Sequence, residues 1–122
     1  MGEVHRAIDY CGQALTIDRQ IGYRRGEAQA LGNLGNAYLA LGEARRAIEY
    51  HEQALAIERQ IGDRRGEGIA LFDMSLALDR VGERAHAIAN AQQALKIYVE
   101  VEDPNAEKVR RTLAEWDASN SE

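Results

Sequence analysis

Residues 2–41 recur as residues 42–81 with 21 identities in 40 aligned positions, and twenty of those identities fall in the first thirty. A period of this size constrains the chain more than any other feature. A unit of some 20 to 45 residues is one supersecondary element that cannot bury its apolar face alone, so units stack, and function falls on the surface that stacking builds. The last ten positions of the unit, GNLGNAYLAL against FDMSLALDRV, keep one identity, Ala37 with Ala77. Something other than the scaffold sets that stretch.

Ala, Leu, Glu, Arg and Gln dominate throughout and the one proline is Pro104, so helix is favoured nearly everywhere. Ala47, Ile48, Ala54, Leu55 and Ile57 follow a helical period, and Ala7, Ile8, Cys11, Ala14, Leu15 and Ile17 repeat it one unit earlier. Gly22, Gly42, Gly62 and Gly82 sit where a left-handed residue ends a helix. Asp63 and Asp103 stand one period apart and read as N-caps, with Pro104 at the first helical position behind Asp103; Tyr23 replaces the cap in the first unit. These signals predict an all-α chain with helices over 3–20, 24–41, 43–60, 64–81, 83–100 and 104–117. The short loops between them force antiparallel hairpins that stack into an α-solenoid. The last helix carries a single apolar stripe of Ala106, Val109, Leu113 and Trp116 among charged residues, the pattern of a terminal cap with a wet outer face. Residues 118–122 read as a frayed tail.

A formal charge of −5 argues against a nucleic-acid groove, which needs a dense cationic surface. The doublets Arg24-Arg25, Arg45-Arg46, Arg64-Arg65 and Arg110-Arg111 each lie near acids such as Glu27, Glu43, Glu49, Glu67 and Glu107, and read as balanced solvated edges. No apolar run approaches the roughly 20 residues that span a bilayer, and residues 1–10 lack the basic region and apolar core of a secretory signal. The expectation is a cytoplasmic chain without membrane contact. Cys11, the single cysteine, reads as a packed or half-buried thiol.

Catalytic motifs fail on inspection. His51-Glu52-Gln53-Ala54-Leu55 begins like a zinc-protease helix but has Leu55 where the second histidine ligand must stand. His5, His51 and His86 are far apart with no cysteine or histidine nearby, so surface or packing roles suit them. Gly32-Asn33-Leu34-Gly35 lies inside a predicted helix, without the strand and Gly-Lys-Ser/Thr of a phosphate loop. The expectation is a chain with no enzymatic activity, no metal and no cofactor.

The segment 30–57, ALGNLGNAYLALGEARRAIEYHEQALAI, resembles the tetratricopeptide repeat family: Leu31, Leu34, Gly35 and Tyr38 match the large, Leu, Gly and Tyr positions of the motif's first helix, and Ala47 and Ala54 the small positions of its second. The 40-residue spacing exceeds the common form of about 34 and is similar to the variant in kinesin light chain, animal polarity adaptors and bacterial signalling proteins. His51, Cys11 and Ala91 stand where the motif usually has a large aromatic residue, while Ser75 and Leu78 replace Gly35 and Tyr38 in the next unit. Residues 3–20 match the second helix of a unit whose first helix is absent. That leaves an apolar edge at Ile8, Leu15 and Ile17, and a homodimer or end-to-end packing through that edge is the expected consequence.

The resemblance also implies a non-catalytic protein-interaction scaffold whose first helices line a concave groove for a peptide or protein partner. Carried onto this chain, the groove residues are Gln29, Asn33 and Asn36 in one unit and Ile69, Phe72, Asp73, Leu76 and Arg80 in the next, with Gly32 and Ala40 completing the first set. The first set offers amides to an extended backbone. Ile69, Phe72 and Leu76 recur at i, i+3 and i+7 and read either as an apolar shelf for a partner or as core beneath the terminal helix or a second copy, because helix 64–81 is apolar almost all round. The runner-up reading is a self-associating structural repeat without a dedicated ligand.

Overall fold

The computed structural model describes residues 2–120, and among them the backbone forms helices and no strand: α1 Gly2–Ile21, α2 Arg24–Ala40, α3 Ala44–Ile61, α4 Arg64–Arg80, α5 Arg84–Glu100 and α6 Asn105–Asn120. The chain reverses at residues with positive φ. Gly22, Gly42, Gly62 and Gly82 lie at +72°, +83°, +74° and +85°, and Glu102 takes the equivalent place at +55° despite its side chain. The next amide then reaches back across the turn, with Tyr23 N donating to Asp18 O at 2.8 Å, Asp63 N to Glu58 O at 2.9 Å and Asp103 N to Tyr98 O at 2.8 Å. Those bonds satisfy carbonyls that the helix leaves open.

At the following helix start the Asp63 carboxylate accepts from Gly66 N at 3.0 Å and Asp103 from Asn105 N at 2.8 Å, whereas Tyr23 gives α2 no side-chain cap. Helix α6 continues to Asn120, so residues 118–120 are helical backbone rather than frayed tail, because no glycine or proline interrupts the helix there. Residues 121 and 122 lie outside the described residues.

The helices pack in sequence as an antiparallel solenoid, with α2 on α3 and α4 on α5 forming hairpins, α1 against α2, α3 against α4, and α6 against α5. Ala47, Ala77, Ala87, Ala91 and Ala94 are fully buried, which lets helix axes approach, and Leu31, Leu34, Leu71, Leu78 and Ile97 fill the spaces between hairpins. Helix α6 lays Ala106, Val109 and Trp116 into the core that α4 and α5 leave open, with Leu113 packed at its margin.

The two full units fill the hairpin positions differently. A Cβ at Gly35 would stand 2.6 Å from His51 Nε2, so the imidazole fills the space that the glycine leaves. The positions one period on are Ser75 and Ala91, both fully buried, and Ser75 Oγ donates to Phe72 O at 2.6 Å. A ring against glycine in one unit is replaced by two small side chains in the next.

The arginine doublets form a ladder with the same period. Arg19 and Arg24 grip Glu27 at 3.2 and 2.8 Å; Arg59 and Arg64 grip Glu67 at 3.2 and 3.0 Å. Burial would raise the Glu27 pKa, but the hydrogen bonds from Arg19 and Arg24 outweigh it and hold the carboxyl below its ordinary range. Bridges between residues farther apart in sequence tie one unit to the next: Arg25 to Asp63 at 3.6 Å, Arg65 to Asp103 at 2.8 Å, Arg45 to Glu83 at 3.5 Å and Arg64 to Glu100 at 2.6 Å. The cap aspartates therefore serve twice, once for their own helix and once for the preceding unit.

Candidate functional site

Helices α2 and α4 diverge enough to leave a cleft of about 460 Å³. Helix α2 contributes Gln29, Asn33 and Asn36, all exposed, with Arg25 and Gly32 beside them; α4 contributes Ile69, Asp73 and Arg65. Glu58, in the last turn of α3, and the Asp63 cap close one wall. The helical period places these residues together, since 25, 29, 32, 33 and 36 form one stripe of α2 and 65, 69 and 73 the corresponding stripe of α4.

Six of the ten groove residues read from the sequence, Gln29, Gly32, Asn33, Asn36, Ile69 and Asp73, meet in this cleft, and Ala40 lies outside its lining. Phe72 does too. It is 5% exposed and packs in the core with Ala106, Val109 and Trp116, while the Lys108 ammonium of α6 sits 5.9 Å from its ring centroid. Leu76 is half-buried at the margin of the same core, and Arg80 lies instead near Arg45, Arg46 and Val81 at the Gly42 turn. The apolar shelf thus belongs mostly to the core that α4, α5 and α6 share. Ile69, 43% exposed, is the one member of that trio that lines the cleft.

Four charged groups of the cleft were not among the groove residues read from the sequence: Arg25, Glu58, Arg65 and Asp63, which was read only as a cap. Position 58 does diverge inside an otherwise shared stretch, being Asp18 one unit earlier and Tyr98 one unit later, but that divergence by itself does not place it in the cleft, and Arg25 and Arg65 do not diverge at all. The Tyr98 ring closes the equivalent space in the second unit by packing on Gly68, where a Cβ would lie 3.2 Å from it; the first unit has Ala28 and Glu58 there and remains open. Gly66 lets the acids lie close to the α4 backbone, for a Cβ at that position would stand 2.5 Å from Asp63 Oδ2 and 2.7 Å from Glu58 Oε2.

Glu58 Oε1 is buried without a hydrogen-bond partner, and burial, together with the charges of Asp63, Glu67 and Asp73, pushes the carboxyl up to about 8. At neutral pH it is largely protonated. Burial also raises Asp73, opposed by a hydrogen bond from Asn36 and the charge of Lys108. Donating that bond leaves Asn36 with one N–H and its carbonyl oxygen free for a ligand.

At the other end of the array the edge residues Ile8, Leu15 and Ile17 separate. Leu15 is buried and Ile8 half-buried against α2 and α3, so both serve the intramolecular core; Ile17 is 55% exposed. The open face of α1 is instead Tyr10, Ile17 and Ile21, with Tyr10 76% and Ile21 69% exposed. One unit on, the equivalent Tyr50 stacks on Tyr38 at a centroid distance of 5.4 Å and Ile57 is buried, because α2 covers that face of α3. Cys11 is half-buried, and burial pushes its thiol up. His51 is buried with both ring nitrogens unpartnered, and burial lowers its pKa to about 4, which keeps it a neutral packing group. Among the described residues no cluster of histidine, cysteine and carboxylate side chains is arranged to hold a metal ion, and no helix is long and apolar enough to cross a membrane.

Stacked antiparallel hairpins with small residues at the helix crossings, a periodic ladder of ion pairs and a cleft between successive first helices define a helical-repeat scaffold of the all-α class. Residues 1–60 match the family model described as tetratricopeptide repeat, and the chain belongs to that family, whose repeats serve as non-catalytic protein-interaction scaffolds. No curated protein gives a match to this chain.

Proposed function

We propose that the chain recognises an extended peptide or protein segment in the cleft between α2 and α4 and performs no chemistry on it. The observation that carries this reading is the row of exposed amides, Gln29, Asn33 and Asn36, facing Ile69 across a cleft of about 460 Å³. Such amides pair with the N–H and C=O groups of a strand-like backbone, while Ile69 gives an apolar side chain a place to rest. The test is a peptide array probed with the wild-type chain and with an Asn33→Ala/Asn36→Ala variant, followed by titration of the peptides retained. Loss of binding in a variant with an unchanged melting curve supports the cleft. Binding that ignores both substitutions sinks it.

Self-association is the second reading, and the exposed stripe of Tyr10, Ile17 and Ile21 favours it. A second copy laid on α1 would shield the face that α2 shields on α3. Light scattering on the wild type and on Ile17→Glu is the check: a dimer dispersed by the substitution is expected, and a wild-type monomer at high micromolar concentration counts against it.

A further inference from the structure

With the α2–α4 cleft taken as the recognition site, the state of its charges decides what kind of segment fits. Both arginines of the lining are already engaged in ion pairs: Arg25 Nη1 stands 3.6 Å from Asp63 Oδ2, and Arg65 Nε stands 2.8 Å from Asp103 Oδ2. These bridges tie each unit to the helix start of the next, so a ligand carboxylate that pulled an arginine away would break a joint of the scaffold. The pairing with Arg25 also compensates Asp63. Glu58 and Asp73 remain. Glu58 Oε1 is buried and partnerless, and Asp73 has only the Asn36 amide and the more distant charge of Lys108. A buried carboxyl oxygen without a donor is costly to keep, and a cationic donor that reached it would form a charge-assisted bond in a poorly screened place. Partly exposed Ile69 lies in the same lining, where the methylene stem of a long basic side chain can rest while its head reaches the acids.

We propose that the cleft binds a basic peptide segment in extended form, with one lysine or arginine side chain seated beside Glu58 and Asp73, its stem against Ile69 and its backbone on Asn33 and Asn36. An acidic segment is disfavoured twice, by the two carboxyls and by the prior engagement of Arg25 and Arg65. Because burial, Asp63, Glu67 and Asp73 hold the Glu58 proton at neutral pH, arrival of the cation expels it, and binding is accompanied by net proton release.

The experiment uses three short fluorescent peptides on one alanine–threonine background, carrying lysine, glutamate or glutamine at alternate positions, titrated into the full chain by anisotropy. The lysine peptide is expected to bind tightest, with Glu58→Gln and Asp73→Asn each weakening it by roughly tenfold and Glu49→Gln, an exposed carboxylate on α3, leaving it unchanged. Calorimetry at pH 7 in buffers of different ionisation enthalpy should show net proton release for the wild type and none for Glu58→Gln, which copies the protonated carboxyl and preserves the fold. Equal affinity for wild type, Glu58→Gln and Asp73→Asn overturns the proposal, as does tighter binding of the glutamate peptide. If a glutamate or glutamine peptide binds and Asn36→Ala abolishes it, the cleft is a peptide site of another charge class and only this inference falls. If no peptide responds to any cleft substitution, the peptide-site reading falls with it.

Discussion

His51 and Gly35 show how much a single contact decides. The imidazole stands where the repeat motif prefers a larger ring, and its Nε2 comes so near Gly35 that a methyl group there would overlap it. Gly35→Ala is expected to cost about 1–3 kcal/mol by overpacking even though alanine is the better helix former. Adding His51→Ala should recover much of that loss, since the equivalent pair one period on, Ser75 and Ala91, is fully buried with two small side chains; a urea-melt double-mutant cycle reads the coupling. The two perturbed groups also give stability an opposed pH dependence. His51 titrates near 4 folded against 6.5 unfolded, so the unfolded chain takes up the proton first and stability is lost as pH falls through that window, by at most about 3 kcal/mol. Glu58 is raised from 4.5 to about 8, so its contribution is full below 4.5 and is lost as pH rises through 8. Urea midpoints across pH 4 to 9 should therefore peak between the two limbs, and Glu58→Gln should flatten the alkaline one.

At the scale of the element, α4 is where sequence reasoning divided. Ile69, Phe72 and Leu76 share a spacing that suits a groove or a core, and a helix apolar on nearly all sides has no polar face to break the tie. Helix α6 breaks it, because Phe72 is buried in one core cluster with Ala106, Val109 and Trp116, and Lys108 of α6 stands 5.9 Å from its ring centroid. Phe72→Ala is accordingly expected to lower stability by about 3–5 kcal/mol in chemical denaturation, while the molecules that remain folded keep their affinity for any cleft ligand. The turns were legible without this help: Gly22, Gly42, Gly62, Gly82 and the caps Asp63 and Asp103 act within a few residues of themselves, so their geometry is written locally. Glu58 was not legible as a cleft residue, because its exposure depends on Ala28 and Asp73, which come from two other helices.

For the whole molecule, the period of 40 residues already implied stacked hairpins, because a unit of that length cannot bury its own face and has few ways to meet its copy. The same reasoning makes the exposed face of α1 a prediction about assembly: if a second copy covers Tyr10, Ile17 and Ile21, the melting temperature should rise with protein concentration, and Ile17→Glu should abolish that rise. A concentration-independent melt would tell against the dimer. The edge read from the sequence named Ile17 correctly as exposed, but Leu15 and Ile8 turn inward and Tyr10 and Ile21 outward, since α2 crosses α1 on one side of the helix and leaves the other side bare. By itself, then, the sequence determined helices, turns, caps and the direction of stacking, all of which follow from interactions between near neighbours or from the repeat itself. The tertiary structure decided which divergent residues face the cleft, which lie beneath α6 and which carboxyls lose their water, because those outcomes depend on side chains brought together from different helices.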